Sequence, residues 1–156
     1  MPFVELYVYF PEVAGRETRS ITIPPGSGFD LPPDDYGFLE LYCNERGCDC
    51  RRVLFCVVAR SRAGVQAVIG WGWEDVDFYT RWMKHGDRSD ATWMKGPALN
   101  PLSPATELAP ALLGLVRDVL LKDPEYVERI KRHYAMVRER IDGPKRPGRH
   151  KPRKRR

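Results

Sequence analysis

The chain has 156 residues, 42% hydrophobic and 11% aromatic, which is enough for the core of one ordinary domain without disulfide staples. Its formal charge is +5, but eight Lys and Arg and no acidic residue fall within 144–156. The stretch before them holds 18 basic against 21 acidic residues, a net −3, so the basic balance belongs to a segment and not to the body. The longest apolar run, Val53 to Ala59, is far short of the ~20 residues a membrane helix needs. Met1-Pro2-Phe3-Val4-Glu5 has no basic stretch or cleavage site, so a cytoplasmic chain without a membrane partner is expected.

In chain order, Phe3 to Phe10 is rich in β-branched and aromatic residues and predicts a strand, and Arg19 to Ile23 predicts a second. Prolines and glycines over 24–36 predict an irregular loop, followed by a strand at Phe38 to Tyr42. Cys43 to Cys50 then forms a tight cysteine turn. Arg52 to Ala59 and Val65 to Trp71 predict a hairpin, with Gly64 in the turn Arg60-Ser61-Arg62-Ala63-Gly64. Residues 74–84 read as a short helix and 85–106, with Pro97, Pro101 and Pro104, as a long crossing loop. A helix capped by Thr106 is expected to run to about Lys122 on the stripe Leu108, Leu112, Leu115, Val116, Val119 and Leu120. Asp123 and Pro124 open a second helix, with Val127, Ile130, Tyr134, Val137 and Ile141 at steps of three or four, ended by Gly143-Pro144. The fold class is therefore α+β: an antiparallel sheet, a clustered cysteine turn and two packed C-terminal helices, as a single domain over 1–142.

All four cysteines lie close together, as Cys43-x4-Cys48-x-Cys50-x5-Cys56. Clustered thiols in a cytosolic chain favour a metal over a bridge, and thiolates suit zinc. Gly47 can take the positive φ that a metal-binding turn often requires, while Arg46, Arg51 and Arg52 would offset thiolate charge. On a strand over 52–59, Cys56 shares a face with Leu54 and Val58, which suits a small buried hydrophobe better than a ligand. Cys43, Cys48 and Cys50 are the metal candidates. A fourth ligand is expected from His133, Cys56, His85, His150 or a carboxylate such as Asp49, with His133 preferred because it would tie the last helix to the turn and His150, in the basic segment, last.

Several stretches resemble a family of small bacterial proteins described as zinc-chelating or SEC-C-motif-associated. They are Tyr42-Cys43, Gly47-Cys48-Asp49-Cys50-Arg51-Arg52-Val53, Gly70-Trp71, Phe78-Tyr79-x-x-Trp82-Met83, Lys95-Gly96-Pro97 and Asn100-Pro101, with Ala109 to Leu113 and Asp123 to Arg129. The likeness covers about 36–141 and implies zinc at Cys43, Cys48 and Cys50. The SEC-C motif itself, a C-x-C with a later Cys-Cys or Cys-His pair, is not found in 142–156, where a basic segment stands instead.

That segment, 143–156, has no apolar residue to bury and is expected to be disordered in isolation. Lys145, Arg146, Arg149, Lys151, Arg153, Lys154, Arg155 and Arg156 suit a nucleic-acid arm for RNA, ribosome or DNA; the plain alternative is a solubilising tail. Trp71, Trp73, Phe78, Tyr79, Trp82 and Trp93 either pack a short helix on the sheet or, exposed, hold bases or a peptide. No phosphate loop, nucleophile elbow, HExxH or dinucleotide fingerprint is present, so no catalytic residue is assigned. The expectation is a non-catalytic zinc-binding protein whose basic segment contacts nucleic acid. The alternatives are a zinc-dependent hydrolase, with Glu74 or His85 participating, and a protein-interaction adaptor.

Overall fold

The computed structural model describes residues 2–144. The eight basic residues read as a nucleic-acid arm, and His150, lie outside the described residues. The order is β1 (Phe3–Glu5), α1 (Leu6–Tyr9), α2 (Pro11–Glu17), β2 (Arg19–Ile23), β3 (Asp34–Cys43), β4 (Arg52–Ala59) and β5 (Arg62–Gly72). Then follow α3 (Val76–Trp82), α4 (Arg88–Lys95), β6 (Ala98–Leu99), α5 (Ala109–Asp118), a 3-10 turn (Leu120–Lys122) and α6 (Pro124–Asp142). All strand pairs are antiparallel, in the order β1-β3-β4-β5-β6, and β2 also pairs with β3. The fold is α+β.

The central strands form where β-branched and aromatic residues alternate across two faces. Tyr36, Phe38, Glu40 and Tyr42 of β3 join Val53, Phe55 and Val57 of β4 and Ala67 and Ile69 of β5 on a fully buried face. Leu112, Leu115 and Val116 of α5 and Tyr126, Ile130 and Val137 of α6 complete that core. The opposite face carries Leu39, Leu41, Leu54, Cys56, Val58 and Val68, mostly half-buried. At its β5 end this face is covered by α3 and α4, where the Arg52 Nε donates to the Met94 carbonyl at 2.8 Å.

Three expectations are corrected. The N-terminal strand stops at Glu5 and gives way to α1 and α2. The reason is competition for one edge: β1 lies opposite Leu41–Cys43, and β2 takes the same edge of β3 opposite Asp34–Phe38. The chain must leave the edge between them, and Leu6 is the buried anchor of the excursion. Second, the presumed loop over 85–106 contains α4 and β6; Asp87 caps α4 from Asp90 N at 2.8 Å, and Asp90 returns the bond in a capping box. Third, the hairpin tip is Arg60-Ser61, and Gly64 falls inside β5 at a register shift.

The two C-terminal helices stand where expected. The first starts later, its N-cap being Leu108, though Thr106 Oγ1 accepts from Leu108 N at 3.2 Å. Asp123 accepts from Glu125 N and Tyr126 N and also pairs with Arg19 at 2.8 Å, so the cap fixes α6 to β2. No helix among the described residues is long and apolar enough to cross a membrane.

Candidate metal centre

Pairing sets the first ligand. Cys43 is the last residue of β3, held opposite Phe3 of β1 and fully buried. Its chain then leaves the sheet in a turn that must re-enter at Arg52. Gly47 adopts φ +71 there, and Arg51 adopts φ +49, a conformation that costs a residue with a Cβ roughly 1–2 kcal/mol. Tertiary bonds hold it in place.

Most of those bonds come from one face of α6. Tyr134, Arg138 and Asp142 are spaced by four residues and so project together. The Tyr134 hydroxyl accepts from Arg51 N at 3.1 Å, and Asp142 Oδ1 accepts from Gly47 N at 2.9 Å. Between them the Arg138 guanidinium donates to the carbonyls of Glu45 (2.8 Å), Cys48 (2.9 Å) and Cys43. From the other side, the Tyr79 hydroxyl of α3 donates to the Arg51 carbonyl at 2.8 Å. A backbone this densely bonded fixes where its side chains point.

The result is that the Sγ atoms of Cys43, Cys48 and Cys50 all lie within 4.8 Å of one another. Zinc–thiolate bonds of about 2.3 Å in a tetrahedron place sulfurs ~3.8 Å apart, so the set fits a soft cation with little adjustment. Cys43 and Cys50 are buried and Cys48 is half-buried, and all four cysteines of the chain are free thiols. Burial pushes the Cys48 thiol up, and burial with the neighbouring Cys48 and Cys43 sulfurs pushes Cys50 up to about 12. Three such groups cannot share a small space as thiolates without a cation among them. A metal supplies that charge and displaces the protons.

The other residues read as ligands sit elsewhere. Cys56 lies in mid-β4, opposite Leu39 and Val68 on the second sheet face. His133 is fully buried on α6, but its Nδ1 lies 2.7 Å from Glu40 Oε1 and its Nε2 2.9 Å from Glu17 Oε2. Both ring nitrogens are thus engaged by carboxylates, and His133 is not in the thiol group. His85 is exposed, and Asp49 is gripped through both oxygens by Arg51 at 3.0 and 2.9 Å. Sequence reading missed Arg138 and Asp142, although their four-residue spacing from Tyr134 was visible. Glu40 was missed too, and its place in an apolar strand was its only signal.

Most of the aromatic region is packed against the core, with Trp82 half-buried and Trp93 exposed. Trp73 meets Tyr134 edge-on at 5.0 Å, Phe78 meets Tyr79 edge-on at 5.0 Å, and Arg51 lies 4.6 Å above Phe78. Glu74 is ion-paired to Arg51 at 3.2 Å. The approach of Tyr79 depends on Gly72, where any Cβ would overlap the tyrosine ring and hydroxyl. Gly72→Ala should therefore cost about 1–3 kcal/mol in denaturant unfolding and loosen the cysteine turn through Tyr79. An unchanged midpoint would show that the turn does not depend on this contact.

No protein-family model matches the chain, and no curated protein or solved structure matches it.

Proposed function

We propose that the chain is a non-catalytic zinc-binding protein in which Cys43, Cys48 and Cys50 hold the metal and the basic segment over 145–156 contacts nucleic acid. One observation carries the metal reading: three thiols from a strand end and a turn converge within 4.8 Å. Soft thiolates select zinc, copper(I) or iron–sulfur centres, and zinc is the one that commonly serves a structural role with such ligands. The resemblance to SEC-C-associated proteins read from the sequence would imply the same metal. The nucleic-acid reading rests on the segregation of eight cations in one stretch beside a net-acidic body, with counterion release as its driving force.

Three protein ligands leave one position. His133 would have to give up Glu40 or Glu17 to fill it and so close a structural site; a water there instead is the open arrangement of zinc enzymes and would favour the hydrolase alternative. The test is metal analysis of untagged protein purified without chelator, beside Cys48→Ser. One zinc per chain is expected in the wild type and less than a tenth of that in the variant. A well-folded wild type without metal would overturn the assignment. Separately, replacing the eight basic residues of 145–156 with glutamine should abolish retention on RNA at low salt, and unchanged retention would overturn the nucleic-acid reading.

A further inference from the structure

We propose that the mouth of the cysteine turn is a phosphate-binding cleft built by Arg46, Arg81 and Lys84 of the folded body, separate from the basic segment. The cleft has a volume of about 580 Å³ and is lined by Glu45, Arg46, Gly47, Cys48, Asp49, Arg81, Trp82 and Lys84. It lies between the turn and the C-terminal end of α3.

Its charge is not balanced. Asp49 is consumed by Arg51, which binds both of its oxygens. That leaves Glu45 as the one carboxylate facing three cations. Even a zinc tris-thiolate of net −1 behind Cys48 leaves the cleft at about +1. Among the described residues, Arg46, Arg81 and Lys84 form no ion pair and no side-chain hydrogen bond; Arg16, Lys122 and Arg140 are likewise unpaired but do not line this cleft, and Arg19, Arg51, Arg60, Arg62, Arg88, Arg117, Lys131, Arg132 and Arg138 are ion-paired. A second surface cleft, lined by Glu17, Glu125, Glu128, Arg129 and Arg132, has the reverse balance, three carboxylates to two cations.

A helix-capping role does not use these side chains up. The closing carbonyls of α3 at Tyr79 and Arg81 already accept from the backbone N–H groups of Met83 and Lys84. Lys84 itself stands at φ +57, a left-handed position where a lysine is uncommon and glycine would be free of strain. Backbone strain at a long cation beside two others is what a binding role tolerates. Trp82, half-buried in the same wall, adds an aromatic surface on which a base can stack.

The recognised chemistry is a phosphate oxyanion, whose source is either a polynucleotide backbone or a free phosphate. The cleft goes beyond the basic segment, because its residues belong to the folded body. Two full-length variants separate the two readings: Arg46→Ala/Arg81→Ala/Lys84→Ala, and the chain with the eight basic residues of 145–156 changed to glutamine. All three cleft side chains are exposed, so the triple variant should keep the wild-type thermal midpoint. Binding to a labelled oligouridylate is measured across salt, and orthophosphate is titrated calorimetrically into each protein. Each single-strand phosphate contact contributes ~0.7 to the salt slope, so losing three should reduce it by about 2.

A reduced slope in the triple variant supports the cleft with a polynucleotide source. A saturable orthophosphate signal lost in that variant supports it with a free-phosphate source. A wild-type slope in the triple variant with no orthophosphate signal overturns the cleft, and the glutamine variant then reports on the segment alone. A reduced slope only in the triple variant keeps the cleft and overturns the segment.

Discussion

Replacing His133 with alanine is expected to cost about 3–5 kcal/mol, a large share of the stability of an ordinary domain. The reason is Glu40. Its side chain sits in the middle of the core face of β3 at 3% exposure, with Oε1 accepting from the Tyr42 hydroxyl and facing His133 Nδ1. Its Oε2 is buried without a partner. Removing the imidazole strands a carboxylate in apolar surroundings. Removing both charges does not, so Glu40→Leu/His133→Leu should recover most of the loss in urea unfolding. If the double variant is no more stable than His133→Ala, lost packing and not the stranded charge is the cause. The double variant also decides whether His133 is a ligand: full metal content in the folded double variant places the metal on the cysteines alone.

The same group sets a pH window. Burial opposes charge on His133, but its hydrogen bonds and proximity to Glu40 and then Glu17 outweigh that and raise its pKa above 6.5. Its contribution is therefore complete below about pH 6.5 and is lost as pH rises through the raised value. Glu17 moves the other way, lowered to about 2 by its bonds to Arg132 and His133. Its contribution is present above about 4.5 and is lost as pH falls toward 2. Stability should be flat between these limits, and the Leu/Leu variant should lose the alkaline limb.

The second large effect concerns the metal. Chelation of the loaded protein should lower apparent stability by at least about 4 kcal/mol, the value expected for a ligand present at 1,000 times its dissociation constant. Cys50→Ser should show the same loss without chelator, because that thiol is fully buried and its turn closes onto β4. Cys56→Ser is the control: it alters a half-buried thiol in mid-β4, opposite Leu39 and outside the thiol group, and should keep full metal content. A thermal scan with and without chelator checks all three. Equal melting of wild type in both conditions would show that any metal is incidental to the fold.

Much of this was legible in the chain. The unbroken apolar run at Val53–Ala59 marked a central strand, Asp123-Pro124 marked the start of α6, and the spacing of Cys43, Cys48 and Cys50 marked the thiol group. These signals are local. The failures had distant causes. Tyr7 and Val8 favour a strand by propensity, yet both are 63% exposed in α1, because the chain must leave the edge of β3 before the stretch Asp34–Phe38 that β2 occupies. α4 was hidden by neighbouring prolines, though Asp87 and Asp90 carried its capping signal. His133 was rightly placed on the last helix, but its partners lie 93 and 116 residues away, and no spacing rule reaches that far.

That separation has a consequence for the order in which the molecule can be made. Glu40 reaches the growing chain 93 residues before the imidazole that will face it. At translation rates of 5–20 residues per second, the carboxylate waits about 5–20 s for its partner. Over that interval β3 and β4 can pair, but closing the helical layer over them would trap an unpaired charge. The buried acid should therefore disfavour closing the core side of the sheet before α6 has been synthesised, because that one helix carries both the imidazole that faces Glu40 and the clamps on the cysteine turn.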